Sequence, residues 1–171
     1  MLRAIQHAAR GAWPEEGALG VVSLDFDDRH RRRIRLETED GEAVLLDLPR
    51  AVAMADGDGV GTADGQWVRI QAKPEPLLAI TAANPLALLK LAWHLGNRHT
   101  PAAVEAGRIL IRPDHVLAAM VEGLGGSVAE TVEPFQPEGG AYGDGHGHGH
   151  SHGHDHDHDH HHDHHHGHSH D

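Results

Sequence analysis

The first half of the chain alternates apolar and polar residues in short runs, which is the pattern of β-strands. Four such runs are separated by turn residues and cover residues 21–26, 33–36, 43–48 and 67–72. Asp40-Gly41, between the second and third runs, predicts a hairpin with a type I′ turn. Pro49 and the glycine-rich stretch 57–65 interrupt the pattern. Short strands at this spacing predict a small all-β domain, a sandwich or a barrel, over residues 1–72.

The hydrophobic periodicity changes in residues 77–137, where two predicted helices alternate with predicted strands. Asn84-Pro85 predicts the start of the first helix, with Asn as N-cap and Pro at the first helical position. Gly96 is expected to end that helix as a C′ glycine. Asp114 caps a second helix, which ends at Gly125. Strands are predicted at 77–82, 102–104, 108–112 and 128–135. The resulting order β-α-β-β-α-β is that of a ferredoxin-like domain.

The predicted fold class is therefore α+β, with a small all-β N-terminal domain followed by a ferredoxin-like domain. Residues 73–76, with two prolines, are predicted to be a linker between the domains. Leu86, Leu89 and Trp93 recur at helical spacing and are expected in the core. Residues 138–171 are predicted to be a disordered His-rich tail, because they cannot bury enough apolar surface to offset the entropy of ordering.

Composition narrows the class of protein. None of the 171 residues is cysteine, which excludes a disulfide framework, a cysteine zinc ribbon, an iron–sulfur cluster and a cysteine nucleophile. No apolar run approaches the roughly 18 residues needed to span a bilayer. Residues 1–14 also lack the apolar core of a signal peptide. We therefore expect a soluble, cytoplasmic protein that does not act at a membrane.

The formal net charge of −12 argues against a protein that binds nucleic acid through its phosphate backbone. One basic run, from Arg29 to Arg33, stands against this acidity. Because Asp25, Asp27 and Asp28 precede it, a solvated or ion-paired strand end explains the run better than a nucleic-acid site.

The tail is chemically unusual. It has 7 of the 26 acidic residues, no lysine or arginine, and 15 of the 20 histidines. Neutral imidazole suits nickel, copper, zinc and iron, so the tail is predicted to bind several exchangeable metal ions. The candidate ligands are His146, His148, His150, His152, His154, His156, His158, His160, His161, His162, His164, His165, His166, His168 and His170.

Two other interpretations of the tail remain open. A purification tag is disfavoured because the longest histidine run is three residues. A pH-sensitive solubility segment is compatible with metal binding. Protonation of the histidines would change the side-chain charge of the tail from −7 to +8 near the usual imidazole pKa of about 6.5, and protonated imidazole releases metal.

A more specific pattern lies in residues 91–101. The run Gly96-Asn97-Arg98-His99, at the end of the first predicted helix, closely resembles the hallmark of the urease accessory protein UreE family. Asp114-His115-Val116-Leu117 resembles the start of that family's second helix, and the Asp56-Gly57-Asp58 turn fits its first domain. The resemblance covers most of the chain, and a His-rich C-terminal tail is common but variable in the family.

The resemblance implies a nickel metallochaperone. In that family the histidine that matches His99 lies at the two-fold interface of a homodimer, and the two copies bind one nickel ion. Zinc or copper can bind the same ligands. His115 matches a position that can be an auxiliary ligand, and its role stays open. His94 is expected to be a surface or structural residue, and His7 and His30 are expected to be solvated.

Three classes of function follow from these observations. The leading hypothesis is nickel delivery to apo-urease together with the GTPase UreG and with UreF and UreD (or UreH), partners that the resemblance implies, with the β half docking a partner. The alternative is storage or buffering of nickel, zinc or copper without delivery, which the tail alone would support. A metal-dependent hydrolase is disfavoured because the chain has no His-Glu-x-x-His stretch. The glycine-rich loop at 57–61 is no Walker A motif, so the chain lacks that GTPase site.

Overall fold

Ten strands and two α-helices form the part of the chain that the structure, a computed structural model, describes, residues 1–139. The strands are β1 (Leu2–Ala8), β2 (Ala18–Leu24), β3 (His30–Glu37), β4 (Ala43–Ala53), β5 (Gly59–Thr62), β6 (Trp67–Ala72), β7 (Pro74–Thr81), β8 (Ala102–Glu105), β9 (Arg108–Ile111) and β10 (Ser127–Pro134). The helices are α1 (Pro85–Gly96) and α2 (His115–Gly123), and a short 3-10 helix covers Glu15–Gly17. The predicted disordered tail, residues 138–171, lies outside the described residues from residue 140 onward. Its predicted start is wrong at Glu138, whose amide donates a 2.9 Å hydrogen bond to the Ala102 carbonyl of β8. None of the helices in residues 1–139 is long and apolar enough to cross a membrane.

The first sheet has six strands in the order β2-β6-β5-β1-β4-β3. Strand β1 runs parallel to β4 and antiparallel to β5, so the N-terminal strand lies inside the sheet. Alternate residues of these strands bury one apolar face. The core consists of Ala4, Val22, Leu24, Leu36, Val44, Leu46, Leu48, Met54, Val60, Val68 and Ile70. The prediction of an all-β first half is confirmed.

Two strands of this sheet, β1 and β5, are absent from the sequence prediction. Strand β5 contains the glycines that suggested a loop. A Cβ atom at Gly59 would lie 2.5 Å from the Trp13 ring, and one at Gly61 would lie 2.8 Å from Gln6 Nε2. Glycine is therefore present because other side chains pack directly on the strand, a contact that the local sequence does not reveal.

The hairpin at Asp40-Gly41 is confirmed, since β3 and β4 pair antiparallel on either side of it. The type I′ turn is wrong. Gly41 has a φ of 84° but Asp40 does not have a positive φ, and the loop is closed by a 2.9 Å hydrogen bond from the Thr38 amide to the Glu42 carbonyl. Pro49 also does not end the strand. It lies within β4, where the register with β3 shifts between Arg31 and Arg33, and such an irregularity tolerates proline.

The second sheet has the order β10-β7-β9-β8, with every pair antiparallel. Numbered within this half, the strands run 4-1-3-2, and the helices join strands 1 to 2 and 3 to 4. The ferredoxin-like prediction is therefore confirmed, and with it the α+β class. The predicted linker over 73–76 is wrong for its last three residues, because Pro74 already begins β7 and pairs with Pro134.

Helix α1 begins where the sequence predicts and ends differently. The Asn84 side chain accepts a 2.9 Å hydrogen bond from the Ala87 amide, and the Asp114 carboxylate likewise caps α2. Gly125 has a φ of 84° and follows α2 as predicted. Gly96, however, is the last residue of α1 and not its C′ residue, because the next residue, Asn97, keeps right-handed helical torsions.

One face of α1 is exposed, which contradicts the expectation that its apolar stripe is core. Leu91 and Leu95 pack on the second sheet and are buried. Leu86, Leu89 and Trp93 are 62%, 65% and 65% exposed. The helix is apolar over a wider arc than one sheet can cover, so periodicity alone could not decide which residues are buried.

A buried arginine joins the two sheets. Arg29 is 2% exposed, and its guanidinium donates to the carbonyls of Met54 (3.2 Å) and Phe135 and to Gln136 Oε1 (2.9 Å). Burial lowers the pKa of Arg29, and the nearby Glu75 carboxylate opposes that shift. The expectation of a solvated or ion-paired strand end is therefore wrong for Arg29, which is buried and donates to carbonyl and amide oxygens.

We expect Arg29→Met to lower the free energy of unfolding by about 2 kcal/mol, because the buried carbonyls of Met54 and Phe135 lose their donor. Urea denaturation would measure the loss. Arg31→Met is the matched control: its side chain is 51% exposed, so its change should stay within about 0.5 kcal/mol. Equal effects of the two variants would contradict the role given to Arg29.

The stability of the fold should depend on pH through Glu133 of β10. The Arg108 guanidinium, which donates to Glu133 at 2.6 and 2.7 Å, lowers the pKa of that carboxyl, and the Thr131 hydroxyl adds to the effect. The folded pKa lies below the unfolded one, so the stabilisation is present above the unfolded pKa of about 4.3 and is lost as the pH falls through the folded value.

Glu133→Gln should therefore lower the urea midpoint at pH 7 more than at pH 3. Glu130→Gln, on the same strand and exposed, should change neither midpoint appreciably. The same offset for Glu133→Gln at both pH values would show that the Arg108 pair contributes no pH-dependent stability.

Candidate metal centre

His99 lies in a tight turn directly after α1. Backbone hydrogen bonds from Asn97 to Trp93 (3.1 Å), Arg98 to Leu95 (3.0 Å) and His99 to Gly96 (3.0 Å) wind the chain into this turn. His99 has a φ of 54° and is the single non-glycine residue with a positive φ in residues 1–139. Such a conformation costs about 1–2 kcal/mol for an L-residue, and strain of this kind is concentrated at functional sites.

The exposed His99 side chain lines an open cleft of about 450 Å³. The cleft lies between the turn after α1 and the start of α2, and its other lining residues are Arg98, Thr100, Pro101, Arg112, Pro113, Asp114 and Leu117. His99 is the one imidazole in this lining. The sequence placed His99 at the end of the helix, but only the fold shows that the cleft is shared with α2.

The charged neighbours of His99 have partners of their own. Arg98 donates to the carbonyl of His94 (3.0 Å), and Arg112 donates to Asp27 (2.8 Å). The Asp114 carboxylate accepts hydrogen bonds from the first amides of α2, which have no carbonyl partner within the helix. Asp114 is therefore engaged as a helix cap, and His99 is the side chain in the cleft best suited to bind a transition metal.

Within residues 1–139, no three His, Asp or Glu side chains lie together in a way that could hold a metal ion. A closed structural site usually needs four ligands. A metal ion at His99 therefore needs further ligands from outside the described part of one chain.

The other candidate ligands lie apart from the cleft. His115 is the exposed first residue of α2 and does not line the cleft. His94 is half-buried against Trp93, with ring centroids 5.1 Å apart, and faces a different cavity beside Lys90 and Leu124. His30 is exposed, as expected. The predicted ligands from His146 to His170 lie outside the described residues.

His7 differs from the expectation of a solvated histidine. Its Nε2 lies 2.7 Å from Asp58 Oδ2, and the buried Asp58 also accepts from the amides of Arg10 (3.0 Å) and Ala55 (2.8 Å). These contacts hold the turn after β4 against β1, so the pair is structural. The Asp56-Gly57-Asp58 turn was a visible signal of a constrained loop, but the pairing with His7 depends on tertiary structure.

Two family models together match nearly the whole chain. The model of the UreE urease accessory protein N-terminal domain matches residues 1–73, and that of the UreE C-terminal domain matches residues 75–171. The chain belongs to the UreE family. The boundary between the two matches coincides with the passage from β6 in the first sheet to β7 in the second.

Curated UreE proteins of other bacteria are similar over most of their length. A urease accessory protein UreE from a Bradyrhizobium species (strain BTAi1) is 49% identical over 144 residues, 84% of this chain and 69% of the relative. The UreE protein of Rhizobium rhizogenes (strain K84) is 54% identical over 129 residues, 75% of this chain and 77% of the relative. That of Mesorhizobium japonicum is 47% identical over 143 residues, 84% of this chain and 73% of the relative.

Because His99 has a positive φ, substitutions at this position can test whether its side chain contributes to folding stability. His99→Gly removes the imidazole but fits a positive φ, so its free energy of unfolding should equal the wild-type value or exceed it by up to about 1 kcal/mol. His99→Val should be less stable than wild type by about 1 kcal/mol, because a β-branched residue fits this region poorly. Thermal unfolding of both variants tests the idea. A clear loss of stability in His99→Gly would mean that the side chain itself holds the fold together.

Proposed function

We propose that this protein is a nickel metallochaperone for urease maturation, in which His99 from each of two chains presents a nickel ion. The relatives are named urease accessory proteins, which supports a role in urease maturation. The observation that carries the nickel site is His99 itself: an exposed imidazole, held in a strained turn, next to an open cleft.

The exposed face of α1 supports a homodimer. Leu86, Leu89 and Trp93 follow one another at helical spacing, and the chain reaches His99 six residues later. An adjoining cavity of about 450 Å³ is lined by apolar residues that include Leu88, Val104 and Ile109. A two-fold contact between two such faces buries them and uses the same patch on both chains, and an axis near His99 brings two imidazoles together.

Two imidazoles leave coordination positions of a nickel ion open. The tail histidines and His115 are candidates to fill them, and the tail serves as a reservoir of ions. An incomplete site suits delivery, because a closed set of four ligands holds its metal. Zinc and copper bind the same ligands, and imidazole alone favours copper over nickel.

The acceptors in this proposal are the urease accessory GTPase UreG and the UreF and UreD (or UreH) proteins that hold apo-urease, all in the cytoplasm. The six-stranded sheet of the β half serves partner docking. The protein itself catalyses no reaction in this role. Metal storage is the alternative, since the number of tail histidines exceeds what a single delivered ion requires.

Equilibrium dialysis against nickel tests the shared site. Residues Met1–Ala141 form one compact unit, so a chain ending at Ala141 separates this site from the tail. We expect a dimer by sedimentation, with about one nickel ion per two chains. His99→Ala should keep the dimer and lose the ion, while Leu89→Asp should give a monomer that also loses it.

Lys90→Ala, on the same helix, is the control and should change neither dimer nor nickel. Nickel bound equally well by His99→Ala would refute the shared site. Delivery is separated from storage by urease activation in cells with ample nickel. A delivery protein works there without its tail and fails with His99→Ala, and a storage protein shows the opposite.

A further inference from the structure

The cleft beside His99 is lined by more hydrogen-bond donors than metal ligands. Arg98, from the turn after α1, and Arg112, from the segment between β9 and α2, both line it. Among residues 1–139, His99 is the one imidazole and Asp114 the one carboxylate in the lining. Asp114 caps α2 through its Oδ1 atom. A bare divalent cation that enters the cleft therefore meets two guanidinium groups beside its imidazole ligand.

Both guanidinium groups have N–H donors left to bind a ligand. Arg98 donates through Nη1 to the carbonyl of His94 at 3.0 Å, and it forms no ion pair within residues 1–139. Arg112 donates through Nη1 to Asp27 Oδ2 at 2.8 Å, and its guanidinium carbon lies 5.2 Å from the centre of the Phe26 ring. A guanidinium group has several further N–H donors and no acceptor, so the remaining Nε and Nη2 groups suit an anion.

The size of the cleft and the geometry of arginine indicate which anion fits. The cleft volume of about 450 Å³ lies in the usual range of small-molecule sites and far exceeds that of a metal ion. Guanidinium groups bind carboxylates through paired N–H groups. A nickel ion already held by carboxylate groups satisfies the His99 imidazole and both arginines at once. Its carboxylates also offset the charge that would otherwise repel the guanidinium groups.

We propose that the His99 cleft accepts nickel as a complex with a small polycarboxylate. The carboxylate groups bind Arg98 and Arg112, and the His99 imidazole replaces one water ligand of the ion, which stays Ni²⁺ throughout. This inference rests on the proposed nickel site and names the chemical form of its cargo. Nickel binding by the imidazole and chelate binding by the arginines use different side chains, so the two can fail separately.

The nickel–citrate complex is the probe, with radiolabelled nickel and radiolabelled citrate measured together by equilibrium dialysis against the full-length chain. His99→Ala supplies the background, because nickel and citrate held by the tail are common to both chains. After subtraction, we expect about one citrate for each nickel ion bound through His99. Nickel retained through His99 without any citrate would contradict the proposal.

The double variant Arg98→Gln/Arg112→Gln separates chelate binding from nickel binding. Citrate retention through His99 should fall at least about tenfold, because the charged hydrogen bonds to its carboxylates are lost. Nickel supplied as its chloride, without a chelator, should bind more tightly, because two positive charges have been removed. A structural role of the arginines would weaken both forms alike, which would contradict the proposal. Thermal unfolding verifies that the variant folds.

Asp27→Asn tests whether the ion pair of Arg112 is the cause. It removes that pair and keeps the guanidinium, so citrate retention should equal or exceed the wild-type value. A fall like that of the arginine variant would assign the effect to the contact with Asp27. Arg32→Gln/Arg35→Gln is the matched control, since it removes two exposed arginines of the first sheet. It should keep retention within about twofold of wild type, because exposed charges outside the cleft are screened.

Three further results would overturn the proposal. The first is wild-type citrate retention by the arginine variant. The second is displacement of citrate by an equal concentration of inorganic phosphate while nickel stays bound, which would make the arginines a general anion site. The third is citrate retention through His99 only in the compact unit ending at Ala141, which would make the tail carboxylates the occupant.

The same measurements separate this inference from the proposed function. If citrate is not retained while His99→Ala still abolishes the binding of nickel chloride, the chelate proposal falls and the nickel site stands. If neither form of nickel binds through His99, both proposals fall.

Discussion

The buried guanidinium of Arg29 is the contact on which the arrangement of the two sheets depends. It precedes β3 in the first sheet and holds the carbonyl of Phe135, directly after β10 of the second. Phe135 is fully buried with Leu77 and Leu110 on the face of the second sheet away from the helices, and Phe26 meets its ring edge-on at 5.3 Å. A charge can be buried here because carbonyl and amide oxygens accept hydrogen bonds from its two terminal nitrogens, although its buried Nε has no partner in the described residues, and several carboxylates lie nearby.

The second sheet buries one face against Phe135 and Phe26 and the other against its two helices, and one side of α1 stays exposed. Helix α1 uses Leu91 and Leu95 to pack on the sheet and presents Leu86, Leu89 and Trp93 outward. An apolar surface of this kind on a small protein marks a place where another molecule binds. At the end of the same helix the chain turns through a strained His99. The apolar face lies on α1 and His99 follows that helix by three residues, so a contact that buries the face also positions this imidazole.

The metal centre proposed at His99 is incomplete within the described part of one chain. The residues around His99 are engaged with each other: Arg98 with the helix end, Arg112 with Asp27, and Asp114 with the amides of α2. The cleft therefore offers a single imidazole on a rigid turn, which two-fold symmetry can double.

The sequence determined the features that depend on neighbouring residues. The caps Asn84 and Asp114 and the strand periods after residue 76 each involve only a few consecutive positions, and together they specified the ferredoxin-like order. The Gly96–His99 run likewise identified the family from the sequence alone, while metal binding by His99 and by the histidine-rich tail stays a prediction.

Tertiary structure decided the features that depend on residues far apart in the chain. Strands β1 and β5 exist because each finds partners in the middle of the first sheet, and the glycines of β5 make room for Trp13 and Gln6. His7 finds Asp58, and Arg29 finds the end of β10 more than a hundred residues later. The apolar face of α1 is exposed because one sheet covers only part of the helix. Whether a residue is buried depends on contacts with residues far away in the sequence, and periodicity along the chain does not specify those contacts.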